Sequence, residues 1–254
     1  MAFSSGSFIN NQLGQIFSTL RSKPLVGTDL HVWRASLNSS SAELLYFQSL
    51  LSKEENERAA RFYFERDRGR YIAGRGILRT LLGGYLGMDA HRIKIIYGPD
   101  GKPMLEDTFN KRRLQFNLSN SNDWAIYIFG WDHPVGIDLE HVRVFDAADD
   151  FAKQYFAAQE TALLNSLTHD QKWDAFFKFW TAKESFLKAK GSGLTFPLNQ
   201  VEISLGAGND ARIASINGDL QQAANWRLET FIPIAGYQAA IAVEKNQGRI
   251  LFQN

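Results

Sequence analysis

Between Asp29 and Leu37 the side chains alternate, with His31, Trp33, Ala35 and Leu37 on one face and Leu30, Val32 and Arg34 on the other. That predicts a strand with two usable faces. Ser52 to Leu86 reads as two helices. Ser52 with Glu55 is a capping-box pair that marks the first start. Asp67 is the expected cap of the second, whose Ile72, Leu78, Leu81 and Leu82 recur at helical spacing until Gly83-Gly84 and Gly87 end it. A short strand is expected over Arg92 to Tyr97, then a turn at Gly98-Pro99-Asp100-Gly101, then strands at Leu114 to Ser119, Trp124 to Phe129 and Val135 to Glu140. From Phe145 to Lys190 the period is helical, closed by Gly191-Ser192-Gly193. Strands return at Val201 to Leu205, Arg212 to Ile216, Trp226 to Ile232 and Tyr237 to Val243.

This order predicts an α+β fold of two halves of similar size. A soft boundary falls near Asp132-His133-Pro134, giving a loose leader over 1–27, an N-terminal half over 28–133 and a C-terminal half over 134–254. The leader has one short apolar patch, around Leu20.

Composition narrows the chemistry. Hydrophobic residues make up 44% of 254, enough for a sizeable core. Lys plus Arg is 28 against 27 for Asp plus Glu, so bulk charge gives no reason to expect nucleic acid or an anionic membrane. With no cysteine, disulfides, thiolate metal sites and cysteine nucleophiles are excluded. No apolar run approaches the roughly 20 residues of a membrane span. Met1 to Gln15 is polar and Gly/Ser-rich, unlike a secretory signal. The expectation is a soluble cytoplasmic protein.

Five local patterns carry candidate chemistry. In Val135-Gly136-Ile137-Asp138-Leu139-Glu140, alternation puts Asp138 and Glu140 on one face, about 7 Å apart. That is either an edge strand with a solvated acidic face or a pair of carboxylates awaiting a cation. In Trp180 to Lys188, Glu184 and Lys188 stand four apart on one helix face. They are either an ordinary surface ion pair or a cation ligand beside a phosphate neutraliser. Gly101-Lys102-Pro103 follows a turn, where Lys102 can reach an anion or stay solvated. Phe116-Asn117-Leu118-Ser119-Asn120-Ser121 offers small polar groups for phosphate or for a turn. Arg58, Arg61, Arg66, Arg68 and Arg70 form a basic run, a subset of which could pair with phosphate. The five histidines have no metal-ligand spacing, and neither a nucleophile elbow nor a phosphate loop is present.

Taken together, and in this order, these patterns resemble the 4'-phosphopantetheinyl transferase superfamily, in its larger surfactin-type branch. The resemblance covers roughly residues 50 to 200. It rests chiefly on Val135-Gly136-Ile137-Asp138 followed by Trp180-Thr181-Ala182-Lys183-Glu184-Ser185-Phe186-Leu187-Lys188, with Asp138 and Glu184 46 positions apart. Gly101-Lys102-Pro103 and Phe116-Asn117-Leu118-Ser119 support it.

The resemblance implies two similar α/β halves in one chain with the active site at their interface, coenzyme A as donor, and Mg2+. Asp138, Glu140 and Glu184 match the metal-binding carboxylates, and Lys188 matches the lysine on the coenzyme A diphosphate. Glu160 takes the place of a general base. Arg58, Arg70 and Lys102 match basic groups around the nucleotide phosphates, and Ser119 and Asn120 approach the diphosphate. The implied partner is a small acidic acyl or peptidyl carrier protein, whose serine accepts the arm. Phe145, Phe151 and Tyr155, flanked by Arg143 and Lys153, are a candidate docking patch, although helical aromatics are more often core. A monomer is expected.

Two positions depart from the pattern: Asn120, where family members often have histidine, and Glu55, where related enzymes can carry lysine, with Lys53 a possible substitute. Three rivals remain from the residues alone: a coenzyme A or nucleotide sensor, a magnesium-dependent phosphohydrolase, and an interaction protein needing neither ligand.

Overall fold

Two 22-residue helices and the sheets they cover organise the chain, as seen in the computed structural model, which describes residues 14, 16, 18–20, 23–110, 113–144, 147–191, 193, 196–207, 210–245 and 248–253. In the first half, helices α1 (Ser41–Leu50), α2 (Lys53–Ala60) and α3 (Glu65–Leu86) share a core with strands β1 (Leu30–Ser36), β4 (Leu114–Ser121) and β5 (Trp124–Trp131). A hairpin of β2 (Ile95–Tyr97) and β3 (Pro103–Leu105) stands beside them. In the second half, β6 (Val135–His141), β9 (Trp226–Phe231) and β10 (Tyr237–Glu244) form a sheet in the order β6-β10-β9. Helices α4 (Ala148–Tyr155), α5 (Ala158–Ser166) and α6 (His169–Lys190), the hairpin β7 (Val201–Leu205) and β8 (Ala211–Ile216), and the short α7 (Leu220–Ala223) complete that half. The last strand, β11 (Ile250–Gln253), returns to the first half and pairs parallel with β1, giving the order β11-β1-β5-β4.

Strand alternation explains the layering. Trp33, Ala35, Tyr127 and Phe129 point to the α3 side and join Ile77, Leu78 and Leu81 in one core. The opposite faces of β1 and β5 present Leu30, Val32, Ile126 and Ile128. These meet Val135, Ile137 and Leu139 of β6 and Ala239, Ile241 and Val243 of β10. Ala240 and Ala242 face the other way, into the core that holds Phe179, Ala182 and Phe186 of α6. The result is helix, sheet, sheet, helix, with an apolar interior between the sheets.

Most expected elements form. Ser52 and Glu55 make the reciprocal cap of α2, and Gly98 N–H to Lys102 O (3.0 Å) closes the β2–β3 turn. Both long helices stop at a left-handed glycine, Gly87 (φ 65°) and Gly191 (φ 71°). Four details differ. Asp67 lies in the first turn of α3, while Phe64 occupies the cap position without a side-chain bond. Helix α1 was not expected, because Leu44-Leu45-Tyr46-Phe47 run consecutively rather than at helical spacing, and Leu45 ends 69% exposed. Strand β11 was not expected either, and it sits in the first half's sheet although it falls within 134–254. Of the leader, residues 1–13, 15, 17, 21 and 22 lie outside the described residues. Ile16 and Leu25 are buried and Leu20 packs against the first core, so the described part is anchored.

No described helix is long and apolar enough to cross a membrane. One contact positions everything that follows. A Cβ on Gly136 would lie inside van der Waals distance of Ser185 O and Ala189 N, so α6 rests directly on the backbone of β6. We predict that Gly136→Ala costs about 3 kcal/mol, lowering the melting temperature by about 6–12 °C in a calorimetric scan, because backbone rather than a flexible side chain blocks the methyl.

Candidate active site

Strands β4 and β6 are edge strands of different sheets, and they meet along a seam. Three alternate side chains of β4 close it. Asn117 Oδ1 accepts the Ile137 N–H (3.2 Å), and Ser119 Oγ donates to Asp138 Oδ1 (2.9 Å). Ser121 Oγ donates to Glu140 Oε2 (3.0 Å) and accepts the His141 N–H (3.1 Å). The Asn-x-Ser-x-Ser pattern thus supplies, at period 2, the hydrogen bonds that β6 would otherwise lack on this edge.

Asp138 and Glu140 face α6, not solvent, which removes the solvated-face alternative: Asp138 is buried and Glu140 half-buried. Lys188, on α6, donates to Asp138 Oδ1 (2.6 Å) and to Ser119 Oγ (2.9 Å). It therefore pairs with Asp138 across the seam rather than with Glu184 on its own helix. Two carboxylate oxygens, Asp138 Oδ2 and Glu184 Oε1, are buried with no hydrogen-bond partner among the described residues. Burial, reinforced by the charge of Asp138 and opposed by Lys188, pushes the Glu184 carboxyl up to about 7. Burial and Asp138 also raise Glu140 above the usual carboxylate range. Three acidic groups thus share a poorly solvated space with one ammonium. As placed, no three carboxylate or imidazole groups among the described residues gather closely enough to cage a metal. The two orphaned oxygens nonetheless fit a hard cation that takes oxygen ligands.

Two clefts adjoin this cluster and share Pro103 and Leu118 in their walls. One, about 400 Å³, is lined by Lys102, Asn117, Glu184 and Lys188. The other, about 480 Å³, is lined by Arg58, Arg70, Tyr71, Arg75, Tyr97 and Asn120. Arg70 is held by Asp123 (Nε to Oδ1, 3.0 Å), and Arg58 lies 5.5 Å from the centre of the Tyr71 ring. Arg75 was missed in the sequence because it sits inside a helical pattern with no anion motif around it.

The remaining expectations fare differently. Ser119 lies in the cluster and Asn120 on the larger cleft. Lys102 gives its ammonium to two backbone carbonyls, Val135 O (3.2 Å) and Ala189 O (3.1 Å), instead of leaving it free for an anion. Glu160 is 1% exposed and fully engaged. It pairs with Lys183 (2.9 Å) and accepts the N–H groups of Ile203 (2.6 Å) and Ala157 (2.8 Å). So placed, Glu160 lines neither cleft, and its oxygens are taken up by the lysine and two backbone N–H groups. Burial raises its carboxyl, and the Lys183 ammonium opposes that rise. Glu55 is likewise structural, since it binds both Arg75 (2.8 Å) and Arg79 (2.5 Å) in the interior. Lys53 points to solvent near Glu57. Of the candidate docking patch, Phe145 lies outside the described residues, and Phe151 packs on Tyr155 (4.5 Å) and Trp180 (4.7 Å).

The comparisons with known proteins bear on both halves. Residues 33–128 match the family model described as 4'-phosphopantetheinyl transferase, N-terminal, and residues 134–242 match that of the 4'-phosphopantetheinyl transferase superfamily. The 4'-phosphopantetheinyl transferase HetI of Nostoc sp. is 40% identical over 219 residues, which is 86% of this chain and 89% of that protein. The chain belongs to the 4'-phosphopantetheinyl transferase superfamily. Within that superfamily, the transferase Sfp of Bacillus subtilis is 31% identical over 63% of this chain and 68% of its own. The L-aminoadipate-semialdehyde dehydrogenase-phosphopantetheinyl transferase of Mus musculus is 28% identical over 82% of this chain and 72% of its own. Among solved structures, the holo-[acyl-carrier-protein] synthase of Thermotoga maritima matches 45% of this chain and 64% of its own, at 21% identity and a TM-score of 0.34, a likeness that carries no argument.

Two outcomes follow from this geometry. Lys183→Met strands Glu160 as an unpaired buried charge and should cost about 3–5 kcal/mol in urea unfolding. Glu184 binds its proton more tightly when folded (about 7) than at its ordinary 4.5. Its contribution therefore weakens the ligand-free fold as pH rises from about 4.5 through 7. Glu184→Gln should melt higher than the parent protein at pH 8, with the two converging near pH 4.5, as read by thermal scans across that range.

Proposed function

We propose that this protein transfers the 4'-phosphopantetheinyl arm of coenzyme A to a serine hydroxyl of an acyl or peptidyl carrier protein, with Mg2+ as cofactor. The observation that carries this reading is the pair of orphaned buried oxygens on Asp138 and Glu184, set beside Lys188, with Glu184 and Lys188 in the wall of the smaller cleft. Asp138, Glu140 and Glu184 are the residues that would hold the magnesium ion. When bound there, it would neutralise charge on the donor's diphosphate.

The protein's own groups do the rest. Arg58, Arg70 and Asn120, on the larger cleft, bind and orient the nucleotide phosphates, and Arg75, held by Glu55, backs its wall. Ser119 holds Asp138 in place. The serine oxygen attacks the phosphorus that carries pantetheine, the bridging phosphorus–oxygen bond breaks, and adenosine 3',5'-bisphosphate departs. Lys188 is released from Asp138 to meet charge on the leaving phosphate. With Glu160 sealed, the serine proton passes to the carboxylate cluster, directly or through water. Glu160 is instead a positioning residue that pins α6 through Lys183. The reading is of a cytoplasmic monomer, supported by coenzyme A as donor and by the presence of both family halves in one chain.

The test is intact mass of several apo carrier proteins after incubation with coenzyme A and magnesium. The expected result is the gain of one phosphopantetheinyl arm, lost with chelator and reduced at least about 100-fold in Glu184→Gln. Tight coenzyme A binding with no gain on any carrier would favour a sensor. Cleavage of coenzyme A without a carrier would favour a hydrolase.

A further inference from the structure

Lys102 belongs to the hairpin of the first half, yet both of its bonds are made to the second. Val135 O opens β6, and Ala189 O lies in the last turn of α6, where helix carbonyls lack partners and an ammonium complements the helix dipole. A Cβ on Gly191 would lie 3.7 Å from Lys102 Cδ, so the stem of the lysine runs against the helix stop. The next residue, Pro103, is a wall of both clefts. Among the described residues no carboxylate is paired with this ammonium, and its two carbonyls come from two different elements.

We propose that Lys102 is a strut between the halves: it fixes the hairpin wall shared by the two clefts and acts on the donor through that wall, not as a ligand of the donor's phosphates. The strut itself rests on the hydrogen bonds above. Its consequence for the donor rests on the transferase reading. Burial supports the geometry, since it brings the Lys102 ammonium down to about 8, as expected of a group held away from water. A strut of this kind is already formed before any ligand arrives. A phosphate ligand would be free in the empty site and engage only on binding.

That difference sets the experiment. In the full-length protein without donor, lysine side-chain NMR should show a protected Lys102 ammonium signal that barely moves when coenzyme A is added. Hydrogen exchange of the ligand-free Lys102→Met variant should be about tenfold faster across residues 95–105 than in the parent, since charge-assisted bonds to two carbonyls are lost. Lys102→Arg, which also reaches two carbonyls, should restore protection. If the transferase assay succeeds, Lys102→Met raises the KM for coenzyme A about tenfold with kcat within about twofold, and the salt dependence of KM is unchanged. The proposal is overturned by an unprotected ammonium that becomes protected only with coenzyme A. It is equally overturned by parental exchange over 95–105 in Lys102→Met, whether KM rises or not. The NMR and exchange results are read without turnover, so failure of the transferase reading leaves them able to decide.

Discussion

The direct contact of α6 with the backbone of β6 at Gly136 is the constraint on which the site depends. A helix normally stands off a sheet by the depth of its side chains. Here the absence of a Cβ lets Ser185 O and Ala189 N approach the strand itself. Glu184 and Lys188 flank that point on the helix, while Asp138 is the next residue outward on the same face of the strand. Closeness at the glycine therefore forces three charged groups into one small volume. The acidic members would repel, and the fold tolerates them because Lys188, Ser119 and Ser121 offset part of that repulsion. The residual tension is what makes the place suited to binding something positive.

A second set of interactions keeps that contact in register. The buried pair of Glu160 and Lys183 joins the start of α5, the middle of α6 and strand β7, with Lys183 also bonding the carbonyls of Leu198 and Val201. One residue further along the helix is Glu184. A rotation or slide of α6 that moved the Glu184 carboxylate would have to break bonds inside a region where water cannot replace them. Rigidity behind the cluster and openness in front of it come from adjacent residues, Lys183 at 0% exposure and Glu184 at the cleft wall.

Much of this was legible in the chain. Strand alternation alone put Asp138 and Glu140 on one side, and helical spacing put Glu184 beside Lys188, because both periods are local. What lies on the other side of each element is not local. The sequence could not say that α6 covers the acidic face, that Lys188 reaches across to Asp138, or that Lys102 ends on carbonyls of the opposite half. Glu160 shows the same limit. Its place in the motif order suggested chemistry, while its surroundings are set by Lys183, 23 positions away in the chain, and by the N–H of Ile203. Arg75 was hidden for the converse reason, since a helix interior gives no hint of which face borders a cleft. Strand β11, a short run near the chain's end, has meaning only through its distant partner β1.

The return of β11 has a consequence for how the molecule is made. Strand β1 is followed almost at once by the helices that cover it, and its antiparallel neighbour β5 is available by residue 131. Its other edge stays bare until residues 250–253 have emerged. During synthesis at ordinary elongation rates of about 5–20 residues per second, that interval lasts roughly 6–24 seconds. For that time the nascent first half carries an unpaired strand edge able to pair with the wrong chain. Crowded polysomes therefore favour mispairing at this edge, and the exposure ends once residues 250–253 pair with β1.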